Sequence, residues 1–322
     1  MSAFLIVFIS ILLLEFCYRF YIIDFYEPEF KVLNSEDDTN KKDVDLLVFG
    51  DSFSASANNF PSILREKYKN KVIINTSVPG FGLKQINVIA KSRIKKYNPK
   101  AILYQVYVGN DLIDINHLSN WKNLSLARNL YWSISDRLIF TSYLNFRLAG
   151  IKFHSAQESN PDIIKQLFSV EAYNSRTKLY AKADSDYLYN SVTISDDFKD
   201  RYSIWKKKLS KFLSKVPEGT KIYIMFIPHC AQVNEYYYQN LEDLGLSFNK
   251  HFTFNELTYG FIEKANKDFE LNKNLKFLNP LAVLRKNDSI NNRLYYSNDP
   301  HMNKNGNIIL ANYLEEQLIL TP

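Results

Sequence analysis

Val44-Asp45-Leu46-Leu47-Val48-Phe49-Gly50-Asp51-Ser52-Phe53 is the stretch on which the fold turns. A short apolar run over 44–49 that ends in Gly-Asp-Ser predicts a buried strand followed by a turn. Downstream, Asn58-Asn59-Phe60-Pro61 offers an N-cap region and a proline for the first turn of a helix reaching about Lys69. A second strand is predicted over 71–75, then a loop over 76–82 that carries Pro79, Gly80 and Gly82. Helical spacing runs over 83–97 and is ended by Asn98-Pro99, because the residue before proline avoids the helical region. A third strand over 101–108 closes on Gly109-Asn110-Asp111. Strand, helix, strand, helix, strand in this rhythm predicts an α/β fold whose parallel sheet is covered on both faces.

Further along, the rhythm loosens. Residues 112–200 show no strand–helix alternation but many aromatics, among them Trp121, Tyr131, Trp132, Phe140, Tyr143, Phe146 and Phe153. They read as an insertion or lid with helix around 134–148, its aromatics filling its own core. The alternation then returns, with helices over 202–215, 253–266 and 304–320 and strands over 221–227 and 276–278.

Upstream, residues 3–14 are apolar apart from Ser10, and apolar character resumes over 16–23. About 20 such residues match a bilayer core as a helix, so 1–23 is expected to be a transmembrane anchor. No Lys or Arg precedes the run and no small-x-small site follows it, which favours an uncleaved anchor over a cleaved signal peptide. Glu15 and Arg19 stand at i, i+4 spacing, able to pair or to reach the interface. Residues 24–42, rich in acids, Asn and Lys, read as a tether, and 43–322 as the catalytic domain. Arg19 and Lys31 weigh against placing that domain outside the cell.

The 322 residues are 46% hydrophobic and 23% charged, which excludes a wholly disordered chain. A net charge of +6 without a basic, aromatic-interleaved stripe argues against nucleic-acid binding. Lys206-Lys207-Lys208 reads as a solvated helix face. Two cysteines, Cys17 and Cys230, with five scattered histidines make no zinc spacing, and neither a metal nor a cofactor is expected.

The chemistry gathers on three loops, each after a predicted strand and so at one sheet edge, where open parallel sheets bind ligands. Ser52 sits on the first, near a helix start whose N–H groups could face an anion. Gly80 on the second lets a backbone N–H approach a substrate oxygen, with Gly82 as its competitor. Asn110 on the third can aim a side-chain amide at the same point. Ser52, Gly80 and Asn110 together would form an oxyanion hole. A serine needs a base, and His301 in Asp299-Pro300-His301-Met302-Asn303 is the candidate, with Asp299 to hold the imidazole in one tautomer. Asp51 reads as a loop brace, and His229, after a strand and Pro228, as a structural residue in preference to one that lines the site. His117, His154 and His251 read as ordinary.

Four blocks carry a resemblance. They are Phe49-Gly50-Asp51-Ser52-Phe53, Asn75-x-x-Val78-Pro79-Gly80-Phe81-Gly82, Val108-Gly109-Asn110-Asp111 and Asp299-Pro300-His301-x-Asn303-x-x-Gly306. In this order they resemble the sequence blocks of SGNH/GDSL hydrolases, over roughly residues 43–113 and 200–322. The resemblance implies a flavodoxin-like α/β/α fold, Ser52 and His301 as nucleophile and base, and Gly80 and Asn110 as oxyanion donors. Many such proteins place the acid three residues before the histidine, which here is Asn298; Asp299 stands two before. The anchor resembles that of membrane-tethered members that modify polysaccharides. It implies an esterase acting on O-acyl groups, acetyl foremost, of a cell-envelope glycan, with the catalytic domain extracytoplasmic and a membrane-bound acyltransferase as a candidate partner. An O-acyltransferase using the same acyl-enzyme, and a silent glycan-binding scaffold, are the alternatives.

Overall fold

A computed structural model describes residues 3–55, 58–118, 120, 122–153, 167–248 and 259–318. Its centre is a parallel sheet in which β1 (Leu46–Phe49), β2 (Ile73–Asn75), β3 (Ala101–Tyr107), β4 (Lys221–Ile227) and β5 (Leu275–Leu278) lie in the order β2-β1-β3-β4-β5. Every residue of β1, β2 and β3 is buried. That explains why these strands read as continuous apolar runs: a parallel sheet is covered on both faces.

Helices supply the two outer layers. In chain order they begin with α1 (Ala3–Arg19), α2 (Glu27–Leu33), α3 (Glu36–Thr39), α4 (Phe60–Lys67) and α5 (Leu83–Tyr97). The insertion adds α6 (Asp111–Ile115), α7 (Leu126–Ser135), α8 (Phe140–Phe153), α9 (Ser175–Ala183) and α10 (Tyr187–Thr193). The remainder are α11 (Lys199–Leu213), α12 (Cys230–Val233), α13 (Glu235–Asp243), α14 (Gly260–Asp268), α15 (Leu281–Asn287) and α16 (Lys304–Gln317). α4 packs against α16 and α5 against α11. Phe212 of α11 meets Phe49 of β1 edge-on at 5.4 Å and Tyr104 of β3 at 5.9 Å. Trp205 of α11 and Phe261 of α14 close over Phe226 of β4. Each such buried ring contributes roughly 1.5–3 kcal/mol.

The order places β2 to one side of β1 and the later strands to the other. Chain direction across the sheet therefore reverses between β1 and β3, and a crevice opens at their carboxyl ends.

Several expectations change. No helix among the described residues is long and apolar enough to cross a membrane. α1 has 17 residues and ends at Arg19, so the expected span over 1–23 is not one helix. Its last turn is held by the domain. Glu15 is buried, pairs with Arg19, and accepts the N–H groups of Ile139 (3.0 Å) and Phe140 (2.8 Å), capping the start of α8. That cap also splits the helix expected over 134–148 into α7 and α8.

Residues 24–42, expected as a tether, instead carry α2 and α3 folded onto the domain. Phe30 is buried under the Arg93 guanidinium, which also pairs with Asp24 at 2.7 Å. Asn34 completes the edge of β2: its Nδ2 donates to the Asn75 carbonyl and its Oδ1 accepts the Asn75 N–H, both at 2.8 Å. A side-chain amide thus occupies the place of a neighbouring strand and blunts an exposed edge.

The insertion's aromatics, expected to fill its own core, pack partly on the N-terminal segment instead. Phe140 and Tyr143 meet Phe25, and Trp132 stacks on His117. Trp121, His154, His251 and residues 253–258 of an expected helix lie outside the described residues. The side chain of Phe153 does so as well.

Candidate active site

At the carboxyl end of β1 the chain turns sharply. Gly50 is required there because a Cβ would stand 2.6 Å from Gln105 Oε1 and 2.7 Å from Ser54 Oγ. Gln105 Oε1 accepts the Asp51 N–H at 3.1 Å and the Ser54 hydroxyl at 3.0 Å. The Asp51 carboxylate accepts the Phe53 N–H at 2.9 Å, as its reading as a loop brace anticipates. Burial lifts the Asp51 carboxyl to about 6. Asn59 Nδ2 donates to the Ser52 carbonyl at 3.0 Å, and Asn75 Nδ2 to the Ser54 carbonyl at 2.7 Å. The turn bearing Ser52 is therefore held from β3, from β2 and from the start of α4. That helix begins only at Phe60, so no helix N-terminus starts at Ser52.

His301 reaches Ser52 from the far end of the chain: its Nε2 lies 2.7 Å from Ser52 Oγ. Its other nitrogen, Nδ1, bonds Asp299 Oδ1, which also accepts the His301 N–H at 2.9 Å. Asp299 is thus the carboxylate on the imidazole. Asn298, one residue earlier, does something else. It accepts the Ser169 N–H at 2.8 Å and donates to the Leu167 carbonyl at 2.9 Å, fastening the insertion to this loop. Asn303 then caps α16 through the Gly306 N–H at 3.1 Å. A Cβ on Gly306 would come within 2.3 Å of the Leu294 carbonyl oxygen, which accounts for the rest of the fourth block.

The electrostatics of the pair oppose each other. Burial disfavours the charged imidazole, but the Asp299 carboxylate and its hydrogen bond outweigh that and hold His301 above the ordinary 6.5. Burial likewise works against the Asp299 anion, and the His301 charge overcomes it, holding the carboxyl below 3.8.

One cavity is lined by Ser52, Gly80, Asn110 and His301 together. Gly80 has φ +78°, a left-handed conformation that only glycine adopts without strain. Gly82 begins α5 and its N–H is spent on Gln85 Oε1 at 3.1 Å, so Gly80 is the glycine available to the cavity. Asn110 Nδ2 donates to Asp114 Oδ2 at 3.0 Å, and this fixes the amide plane.

Other lining residues come from places without a motif. His229, read as structural, is buried at the carboxyl end of β4 and lines the cavity beside Tyr107, its ring 5.9 Å away. Burial drops its pKa to about 3, so it is neutral. Its Nδ1 accepts the Ala231 N–H at 3.2 Å, which leaves the proton on Nε2. Asn174 and Arg176, at the start of α9 in the insertion, also line it. Asn174 Nδ2 donates to Asp299 Oδ2 at 2.9 Å. The strand-end position of His229 carries its site-lining alternative; nothing local flags Asn174 or Arg176.

No family model and no curated protein matches the chain. Among solved structures it is similar to TesA, at 10% identity and a TM-score of 0.40, covering 85% of this chain and 98% of that one. An acetyl xylan esterase, AlAXEase, is 13% identical with a TM-score of 0.41, covering 85% and 100%. A lipase from a goat rumen metagenome, Lip_vut3, is 12% identical with a TM-score of 0.39, covering 85% and 96%.

Proposed function

We propose that the chain is a serine esterase that cleaves O-acyl esters through an acyl-Ser52 intermediate, with acetyl on a cell-envelope glycan as the substrate. The observation that carries this reading is the continuous relay Ser52 Oγ, His301 Nε2, His301 Nδ1, Asp299 Oδ1 at the wall of a cavity. Ser52 Oγ attacks the ester carbonyl while His301 Nε2 takes its proton, and Asp299 stabilises the imidazolium that forms. The N–H groups of Gly80 and Ser52 and the amide of Asn110 hold the oxyanion; loss of one such donor costs roughly 2.7–4 kcal/mol of transition-state stabilisation. His301 then returns the proton to the departing alcohol. Water attacks the acyl group, gives its proton to His301, and the acid leaves as Ser52 recovers its hydrogen.

Fluorophosphonate labelling and 4-nitrophenyl acetate turnover test the reading together. The native chain should label at Ser52 and turn over, whereas Ser52→Ala should do neither. Turnover that survives Ser52→Ala removes the assignment, and a chain that neither labels nor turns over is the silent scaffold. Transfer of the acyl group to a supplied glycan in preference to water would make it an acyltransferase.

We further propose that α1 associates with a membrane. Leu5, Val7, Leu12, Leu13 and Phe16 of α1 are exposed, while its Glu15 and Tyr18 are buried in the domain. A full chain that co-sediments with vesicles, beside a chain lacking residues 1–14 that does not, supports this; equal sedimentation removes it. An extracytoplasmic catalytic domain follows the same proposal and is tested by protease access in intact cells.

A further inference from the structure

Arg176 stands apart from everything else on the cavity wall. Among the described residues that line it there is one fixed cation, Arg176, and no carboxylate. The carboxylates nearest to hand lie behind the wall: Asp299 behind His301, and Asp114 behind Arg176. The guanidinium is braced rather than loose. Its Nε donates to Tyr180 Oη at 2.8 Å and its Nη2 to Asp114 Oδ1 at 2.6 Å. Tyr180 Oη itself donates to the same Asp114 oxygen at 2.9 Å, so three groups lock one geometry. The nitrogen left over, Nη1, stands 3.9 Å from where a side chain on Gly80 would begin. Despite this bracing, 47% of the Arg176 side chain stays exposed.

A guanidinium held through two of its nitrogens has already lost much of its rotamer freedom, so a third contact costs little ordering entropy. Its fork matches a carboxylate in shape and charge. The first turn of α9 carries Arg176 and Thr177 to the same wall, and the positive end of that nine-residue helix adds to the potential there. Asp114 answers the charge from behind, but a neutral glycan ester would leave the Nη1 edge facing the cavity without an anionic acceptor.

We propose that Arg176 is a specificity-determining residue that binds a carboxylate on the alcohol portion of the substrate, so that the preferred ester is an acylated acidic sugar. The inference rests on the esterase reading above and narrows its substrate class.

The test compares 4-acetoxybenzoate with 4-acetoxybenzamide, which share the acetyl group and differ in charge on the alcohol portion. In the native full-length chain, kcat/KM for the carboxylate should exceed that for the amide by about ten-fold or more, the factor expected of one charge-assisted contact. The ratio should shrink with added salt, fall to near one in Arg176→Gln, and survive in part in Arg176→Lys, which keeps the charge but not the fork. Because the ratio is internal to each protein, a variant that lowers both rates through a disturbed Asp114 still reports on charge recognition. A native ratio near one overturns the proposal, as does a ratio that persists in Arg176→Gln. An equal fall on both esters with the ratio intact would place Arg176 on the oxyanion instead. If Ser52 labels and the amide turns over while the ratio is one, only the carboxylate inference falls. If no ester turns over and Ser52 does not label, the esterase reading falls with it.

Discussion

Asn174 Nδ2 donates to Asp299 Oδ2 at 2.9 Å, so a residue of the insertion holds the carboxylate that holds His301. Asn174 Oδ1 meanwhile accepts the Arg176 and Thr177 N–H groups at the start of α9. One side chain therefore ties the helix end to the relay, and the two jobs can be separated.

Serine caps helices as well as asparagine but is too short to reach Asp299. In Asn174→Ser we expect the cap itself to change stability by no more than about 0.5 kcal/mol, while the bond lost to the buried Asp299 carboxylate costs about 1.5–3 kcal/mol. The loss of a hydrogen bond to a charged group should lower kcat/KM by about ten-fold or more. Urea unfolding and steady-state kinetics check the two halves, and unchanged kinetics would show that Asp299 needs no second support.

The pH dependence has a definite sign. His301 acts as a base only when neutral, and Asp299 holds its folded pKa above 6.5. The acid limb of kcat/KM should therefore turn above that value in the native chain and move downward in Asp299→Asn. Stability follows the same groups. The raised imidazole contributes fully below 6.5 and is lost as pH rises through its folded value. The lowered carboxyl contributes above 3.8 and is lost as pH falls through its folded value. The pair thus stabilises most between those two ordinary values. Urea midpoints at pH 5.5 and 9 that shift identically in the native chain and in Asp299→Asn would contradict this.

Gly80 and Gly82 should answer alanine differently. At Gly80 the φ of +78° strains any side chain, and the N–H proposed to bind the oxyanion would move with it. We expect Gly80→Ala to lower kcat by about 10² or more, in the range of a lost oxyanion donor. Gly82 has φ −117° and only ordinary contacts of 3.7–3.8 Å around a new Cβ. Gly82→Ala should keep activity within about three-fold, since it removes no hydrogen bond and strains no backbone. Reversed outcomes in a 4-nitrophenyl acetate assay would exchange their roles.

Asn34→Ala should destabilise the whole domain although it lies before the first strand. It leaves the buried N–H and carbonyl of Asn75 without their 2.8 Å partners, each costing about 1–3 kcal/mol. Chemical denaturation checks the size of the loss. A change below about 0.5 kcal/mol would mean that water replaces Asn34 at the edge of β2.

The sheet was legible because its signals are local. Buried parallel strands read as near-continuous apolar runs, as Leu46-Leu47-Val48-Phe49 and Ile222-Tyr223-Ile224-Met225-Phe226-Ile227 do. Helix ends announce themselves within a few residues: Asn98 adopts the left-handed C-cap of α5, and Asn303 the N-cap of α16. The N-terminus misled for the same reason. Composition records that residues 3–23 are apolar, but not that Glu15 will be spent on the start of α8, nor that Asn34 will pair with β2.

The sequence by itself determined the strand–helix rhythm, the strand-end placement of Ser52, Gly80 and Asn110, and the residue types of the relay. Such features depend on neighbours a few positions apart, where periodicity and chain stiffness act. Only the tertiary structure decided that Asn174 braces Asp299, that Asp114 braces Arg176, and that the insertion brings Asn174 and Arg176 to the cavity. Those contacts join residues 125 positions apart, as Asn174 and Asp299 are, or 62 apart, as Asp114 and Arg176 are. Across such distances no spacing rule applies, and the partners are chosen by how the layers pack.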